Sequence, residues 1–288
     1  MVEKLMQAIE AKQNPTVIGL DPFLSMFPEH MIKGQGRDEI AESMLDYFKQ
    51  IIDAIYDIVP AVKPQSAFFE QYGWQGIKAL EELVHYAKSK GLYVIFDGKR
   101  NDIGSTCDGY AKAYLTEQFM NADCLTVNGY LGFDGIKPLL DTGRMIFVLA
   151  KTSNPSSGEL QDLKLESGEP IYEKMAELCE KWGVQAGEQN YGYTNCGIVV
   201  GATYPEQIKE LRAKAPKTFF LIPGFGAQGG TAADLAHAFD SNGRGAIINN
   251  SRGVLYAYKK EEGCSPEDFA GAARRAALKM KQQLGEIL

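Results

Sequence analysis

Apolar residues arrive along this chain in short unbroken blocks, separated by stretches in which they recur at helical spacing. The blocks run from Thr16 to Leu20, Pro60 to Val62, Leu92 to Phe96, Cys124 to Val127, Met145 to Ala150, Gly197 to Gly201, Phe219 to Ile222 and Gly245 to Ile248. Continuous rather than alternating apolar runs predict strands buried on both faces, as in a parallel sheet. Helical patterns cover about 38–59, 74–90, 105–120, 134–141, 170–188, 205–214, 231–240 and 266–285. In the first, Ile40, Met44, Phe48, Ile51 and Ile55 fall on one face behind an acidic start at Asp38-Glu39. The last opens on Ser265-Pro266-Glu267, a capping residue followed by proline in the first turn. The first ten residues, Met1 to Glu10, read as a further amphipathic helix rather than a signal peptide.

Eight strands alternating with eight helices predict the α/β class and a (β/α)8 TIM barrel, one domain spanning 1–288. An open doubly wound sheet is the alternative. Two connections are long, 21–37 and 151–169; the second is polar and fits either a lid or a plain insertion.

Composition narrows the function. The net charge of −7 argues against nucleic acid as a partner. No apolar run approaches membrane-spanning length, so no membrane partner is expected. Cys107, Cys124, Cys179, Cys196 and Cys264 lack zinc spacing and read as reduced thiols of a cytoplasmic protein. Isolated His30, His85 and His237 read as surface or packing residues, and Trp74 and Trp182 as packing.

Barrel enzymes place their chemistry at the C-terminal ends of the strands. Here those ends carry Asp21, Lys63, Asp97 with Lys99, Asn128, Lys151-Thr152-Ser153, Ala202-Thr203, Pro223-Gly224 and Asn249-Asn250-Ser251-Arg252. The opposite ends, mostly Gly, Asn and Asp, show no comparable clustering. In the third unit, Asp97 and Lys99 are two apart on an extended backbone and should face one space. Asp102 follows in the turn, and Gly104-Ser105-Thr106 opens a helix. An ammonium between two carboxylates lets both stay ionised. After the seventh run, Pro223-Gly224-Phe225-Gly226-Ala227-Gln228-Gly229-Gly230 precedes a helix; such a loop can present backbone N–H groups to an anion. Arg252 adds a guanidinium suited to phosphate.

Together these motifs resemble orotidine 5′-phosphate decarboxylase, specifically its longer bacterial subgroup, over nearly the whole chain. The family signature Asp-x-Lys-x-x-Asp stands here as Asp97-Gly98-Lys99-Arg100-Asn101-Asp102, followed by Ile103-Gly104-Ser105-Thr106. The phosphate loop is matched at 223–230, the pyrimidine-facing loop at Lys151 to Pro155, and the first strand end at Leu20-Asp21-Pro22. Gly98 and Asn101 depart from the subgroup's usual Ala and Gly, at positions that carry no catalytic side chain.

The resemblance implies cofactor-independent, metal-free decarboxylation of orotidine 5′-monophosphate to UMP and CO2, the last step of de novo UMP synthesis. It implies catalysis by a Lys63-Asp97-Lys99-Asp102 array with Lys99 as proton donor. It implies a homodimer in which Asp102, Ile103 and Thr106 serve the neighbouring site. Asp21 would bind ribose hydroxyls, Ser153 the pyrimidine edge, and Gln228 and Arg252 the phosphate; Gly226 and Asn128 complete the expected substrate contacts. Two readings compete. Sugar-phosphate enzymes on the same barrel share the motif but use Mg2+. A non-catalytic nucleotide binder is disfavoured, since four buried charges would burden stability without a task.

Overall fold

Every apolar run becomes a strand. The computed structural model describes residues 1–187, 191–225 and 232–288. The strands are β1 (Thr16–Leu20), β2 (Ala61–Pro64), β3 (Tyr93–Arg100), β4 (Cys124–Val127), β5 (Met145–Lys151), β6 (Cys196–Val200), β7 (Phe220–Pro223) and β8 (Ala246–Asn250). All pair in parallel, in chain order, and β8 returns to β1, closing the barrel. The open doubly wound sheet is thereby excluded.

The described helices are α1 (Val2–Lys12), α2 (Arg37–Ile55), α3 (Ala67–Glu70), α4 (Gly73–Ser89), α5 (Gly104–Leu115), α6 (Lys137–Leu140), α7 (Gly158–Gln161), α8 (Ile171–Ala186), α9 (Pro205–Lys214), α10 (Ala232–Leu235), α11 (Arg252–Leu255) and α12 (Phe269–Gly285). No described helix is long and apolar enough to cross a membrane.

Several expected helices are shorter in the structure. The 134–141 pattern resolves into a 3-10 turn, Phe133–Gly135, and the single turn of α6. The 231–240 pattern becomes α10 and a 3-10 turn, Ala236–Ala238. Periodicity over so few residues does not separate one α-turn from tighter turns. The long connections are not bare loops either. The first holds 3-10 turns at Leu24–Met26 and Glu29–Met31. The second holds α7 and a bridge between Lys164 and Pro170.

Two apolar layers follow from strands buried on both faces. Inside the barrel, Val17, Tyr93, Ile95, Phe147, Phe219 and Ile247 pack together, and α1 closes the N-terminal end with fully buried Val2, Leu5 and Met6. Outside, the other strand faces meet the helices. Trp182 packs with Phe133, as expected. Trp74 does not pack: it is 66% exposed, beside a groove of about 270 Å³ between α2 and α4. Its place in the first turn of α4 turns the ring outward, which helical periodicity did not reveal.

The N-terminal end also corrects the expectation that it lacks clustered charge. Asp123, fully buried before β4, accepts from Lys4 (2.7 Å), Lys88 (3.2 Å), Arg144 (3.4 Å) and the Val94 N–H (3.0 Å). These cations come from α1, α4 and the residue before β5, so strand-end reading could not assemble them. The cluster clamps the closing helix to the barrel. Asp123→Ala is expected to cost about 3 kcal/mol in urea unfolding, because it strands the Val94 N–H and neighbouring cations. Steady-state kinetics of the folded variant should be unchanged, since the opposite barrel end is untouched.

Candidate active site

The charged strand ends converge at the C-terminal face. Asp97, 6% exposed, sits between two lysines: Lys63 Nζ lies 2.7 Å from Oδ2 and Lys99 Nζ 2.6 Å from Oδ1. Burial pushes the Asp97 carboxyl up, but the charges and hydrogen bonds of Lys63 and Lys99 outweigh it and hold it well below the usual carboxylate range. Burial likewise pushes Lys63 down, and the charges of Asp97 and Asp21 reverse this, raising its pKa above the ordinary value. Both groups of the buried pair are therefore ionised at neutral pH.

Lys99 reaches Asp97 by a route that simple alternation does not anticipate. The β3–β4 register shifts between Phe96 and Arg100, and Lys99 takes a left-handed backbone with φ of 48°. That conformation costs a non-glycine residue about 1 kcal/mol or more, so the surroundings must impose it. Arg100 braces the segment, pairing with Glu70 and donating to the Tyr114 hydroxyl (3.1 Å).

Two lobes of one cleft meet at Lys63, Asp97 and Pro223. One, about 230 Å³, is largely apolar; Leu149, Val199 and Leu221 line it, with Lys99, Thr126 and Ser153 at hand. The other, about 220 Å³, is polar and takes in Asp21, Asn249, Ser251 and Arg252. Ser251 donates to the Asp21 carboxylate, and its hydroxyl also lies 3.1 Å from the carbonyl of Gly19. A Cβ at Gly19 would stand 2.8 Å from that hydroxyl, so glycine is what permits this approach of β8 to β1. Arg252 is exposed at the start of α11, free to meet an anion at the cleft rim.

Of the expected site residues, the structure brings together Lys63, Asp97, Lys99, Asp21, Ser153 and Arg252. Gln228 and Gly226 lie outside the described residues. Asn128 is exposed at the end of β4, where its Oδ1 accepts the Tyr130 N–H (3.0 Å), and it lines neither lobe. Asp102 accepts the Ile103 N–H (2.8 Å) and, among the described residues, does not join the Lys63–Asp97–Lys99 cluster. Ile103 and Thr106 are exposed beside it. Only two of the four array charges are thus buried, for the Lys99 side chain is 46% exposed.

Lys151, though at a strand end, turns away from the cleft: its ammonium is buried against Asp162 (2.6 Å) and over the Tyr204 ring. With the Gln161–Thr152 hydrogen bonds, this pins the connection that carries Ser153. Asn249 and Ser251 were expected at the strand-eight end but given no role, and Thr126 was not singled out in the sequence. Thr126 left one signal there, a hydroxyl inside an otherwise apolar strand.

The orotidine 5′-phosphate decarboxylase / HUMPS family profile matches residues 2–264. An orotidine 5′-phosphate decarboxylase of Rhodopirellula baltica is 43% identical over 98% of this chain and 97% of its own length. One of Caldicellulosiruptor bescii is 42% identical, over 99% and 98%. The solved OMP decarboxylase of Leishmania donovani superposes with a TM-score of 0.79 at 30% identity, covering 99% of this chain and 97% of that one.

Proposed function

The chain belongs to the orotidine 5′-phosphate decarboxylase / HUMPS family, and from that premise we propose that it converts orotidine 5′-monophosphate to UMP and CO2 in pyrimidine biosynthesis, with Lys99 as proton donor. The observation that carries the proposal is the Lys63–Asp97–Lys99 cluster at the junction of an apolar and a polar lobe. The apolar lobe suits a pyrimidine ring, with Ser153 at its edge. The polar lobe suits ribose and phosphate, with Asp21 for hydroxyls and Arg252 for the anion; Gln228 and Gly226 would join it.

The bond to the carboxylate breaks, CO2 leaves, and the electron pair stays on the ring carbon. No neighbouring atom of the ring takes up that charge. A fixed ammonium beside the carbon stabilises it without reorganisation during the reaction. Lys99 then delivers a proton to the same carbon and regains one from solvent. Asp97 holds both lysines, and its own charge faces the substrate carboxylate. Binding energy from the phosphate lobe orders the cleft around the reacting ring.

Asp102, Ile103 and Thr106 act in this proposal across a homodimer. Exposed apolar Ile103, Tyr130 and Leu131 (53, 79 and 45%) support a partner-facing surface beside them. Five unpaired cysteines are in keeping with work in the cytoplasm.

Incubation with orotidine 5′-monophosphate, followed by loss of orotate absorbance with and without EDTA, tests the reading. Rapid turnover insensitive to EDTA is the expected result. Turnover of a ketose phosphate that needs Mg2+, with none of the nucleotide, would replace it by the sugar-phosphate reading.

A further inference from the structure

We propose that Thr126 is a positioning residue whose single hydroxyl holds Asp97 and Lys99 in their working arrangement. This rests on the decarboxylase reading for its kinetic consequence and on geometry for its structural one.

Between the partner pairs Phe96–Leu125 and Arg100–Val127, β3 contains Asp97, Gly98 and Lys99, whereas β4 contains Thr126 alone. Three residues face one, so the ladder cannot serve them all. Thr126 is 1% exposed, and its hydroxyl fills the gap twice. It accepts the Lys99 backbone N–H at 3.1 Å and donates to Asp97 Oδ1 at 2.8 Å. The same Oδ1 receives the Lys99 ammonium at 2.6 Å, closing a loop through the backbone and side chain of Lys99. The acceptor role fixes the left-handed turn that aims the lysine, and the donor role fixes the carboxylate that the ammonium meets. Neither can be met by a methyl group. Serine can meet both.

The assignment separates this hydroxyl from a mere packing role. Thr126→Val keeps the shape but removes both hydrogen bonds; Thr126→Ser keeps the hydroxyl and removes a methyl. We expect Thr126→Val to lower kcat about 100-fold, the scale of a misplacement near 1 Å, with KM changed less than about threefold. Thr126→Ser should restore kcat to within about fivefold of wild type. Thr126→Ala carries the same readouts should the valine variant not fold. A crystal structure of the hydroxyl-less variant should show Lys99 out of the left-handed region or its ammonium off Asp97 Oδ1.

A valine or alanine variant with wild-type kcat overturns the proposal, as does a serine variant as impaired as valine. So does a variant structure with Lys99 unmoved. If the wild-type protein does not decarboxylate the nucleotide, the functional reading fails, and the variant structure alone decides whether Thr126 positions Lys99.

Discussion

Lys99→Ala should lower kcat by at least about 10⁴-fold while UMP binding stays within about tenfold of wild type. Two roles converge on this ammonium. In the proposed reaction it faces the carbon on which charge develops, and it returns the proton that completes the product. A preorganised charge and a positioned acid are each worth roughly 10²–10⁴ in rate. Ground-state binding draws instead on both lobes, of which Lys99 borders only the apolar one. The loss should therefore fall on kcat rather than KM. Stability should change little, since the lysine side chain is nearly half exposed and its removal leaves Asp97 paired with Lys63. Turnover above about a hundredth of wild type, in protein of unchanged melting temperature, would remove Lys99 from the proton-donor role.

The barrel was readable because its strands are buried on both faces. A run such as Met145 to Ala150 has only one environment that suits it, and eight such runs with helices between them leave few topologies. Lys63, Asp97 and Lys99 were readable because strand ends in a barrel share one rim. What stayed hidden depends on register and on distant partners. The three-against-one mismatch that engages Thr126 cannot be seen without the β3–β4 pairing. Lys151 stood in the right place, yet Asp162, eleven residues on, drew its ammonium away from the cleft. Asp123 drew no notice because its three cations come from three separate segments. Trp74 lies at the edge of a helix, where periodicity says least about which side is buried.

Asp102→Ala should be nearly as inactive as Lys99→Ala, yet a mixture of the two proteins should regain activity. Within one chain Asp102 caps the Ile103 N–H and stands apart from the cluster, so its motif neighbours Asp97 and Lys99 do not explain its use. A site built from Asp97 and Lys99 of one subunit and Asp102 of the other would explain both the spacing and the exposure. In a symmetric dimer each residue then serves one site only. A hybrid of Asp102→Ala and Lys99→Ala subunits concentrates both lesions in one site and leaves the other free of them. Equal mixing with full exchange makes half the dimers hybrid, so activity should recover to about a quarter of wild type. Recovery should track the rate of subunit exchange and vanish if exchange is blocked by cross-linking before mixing. If mass spectrometry shows hybrid dimers formed and activity stays at the level of the parents, Asp102 acts within its own subunit, and its own segment must move to bring it to the cluster.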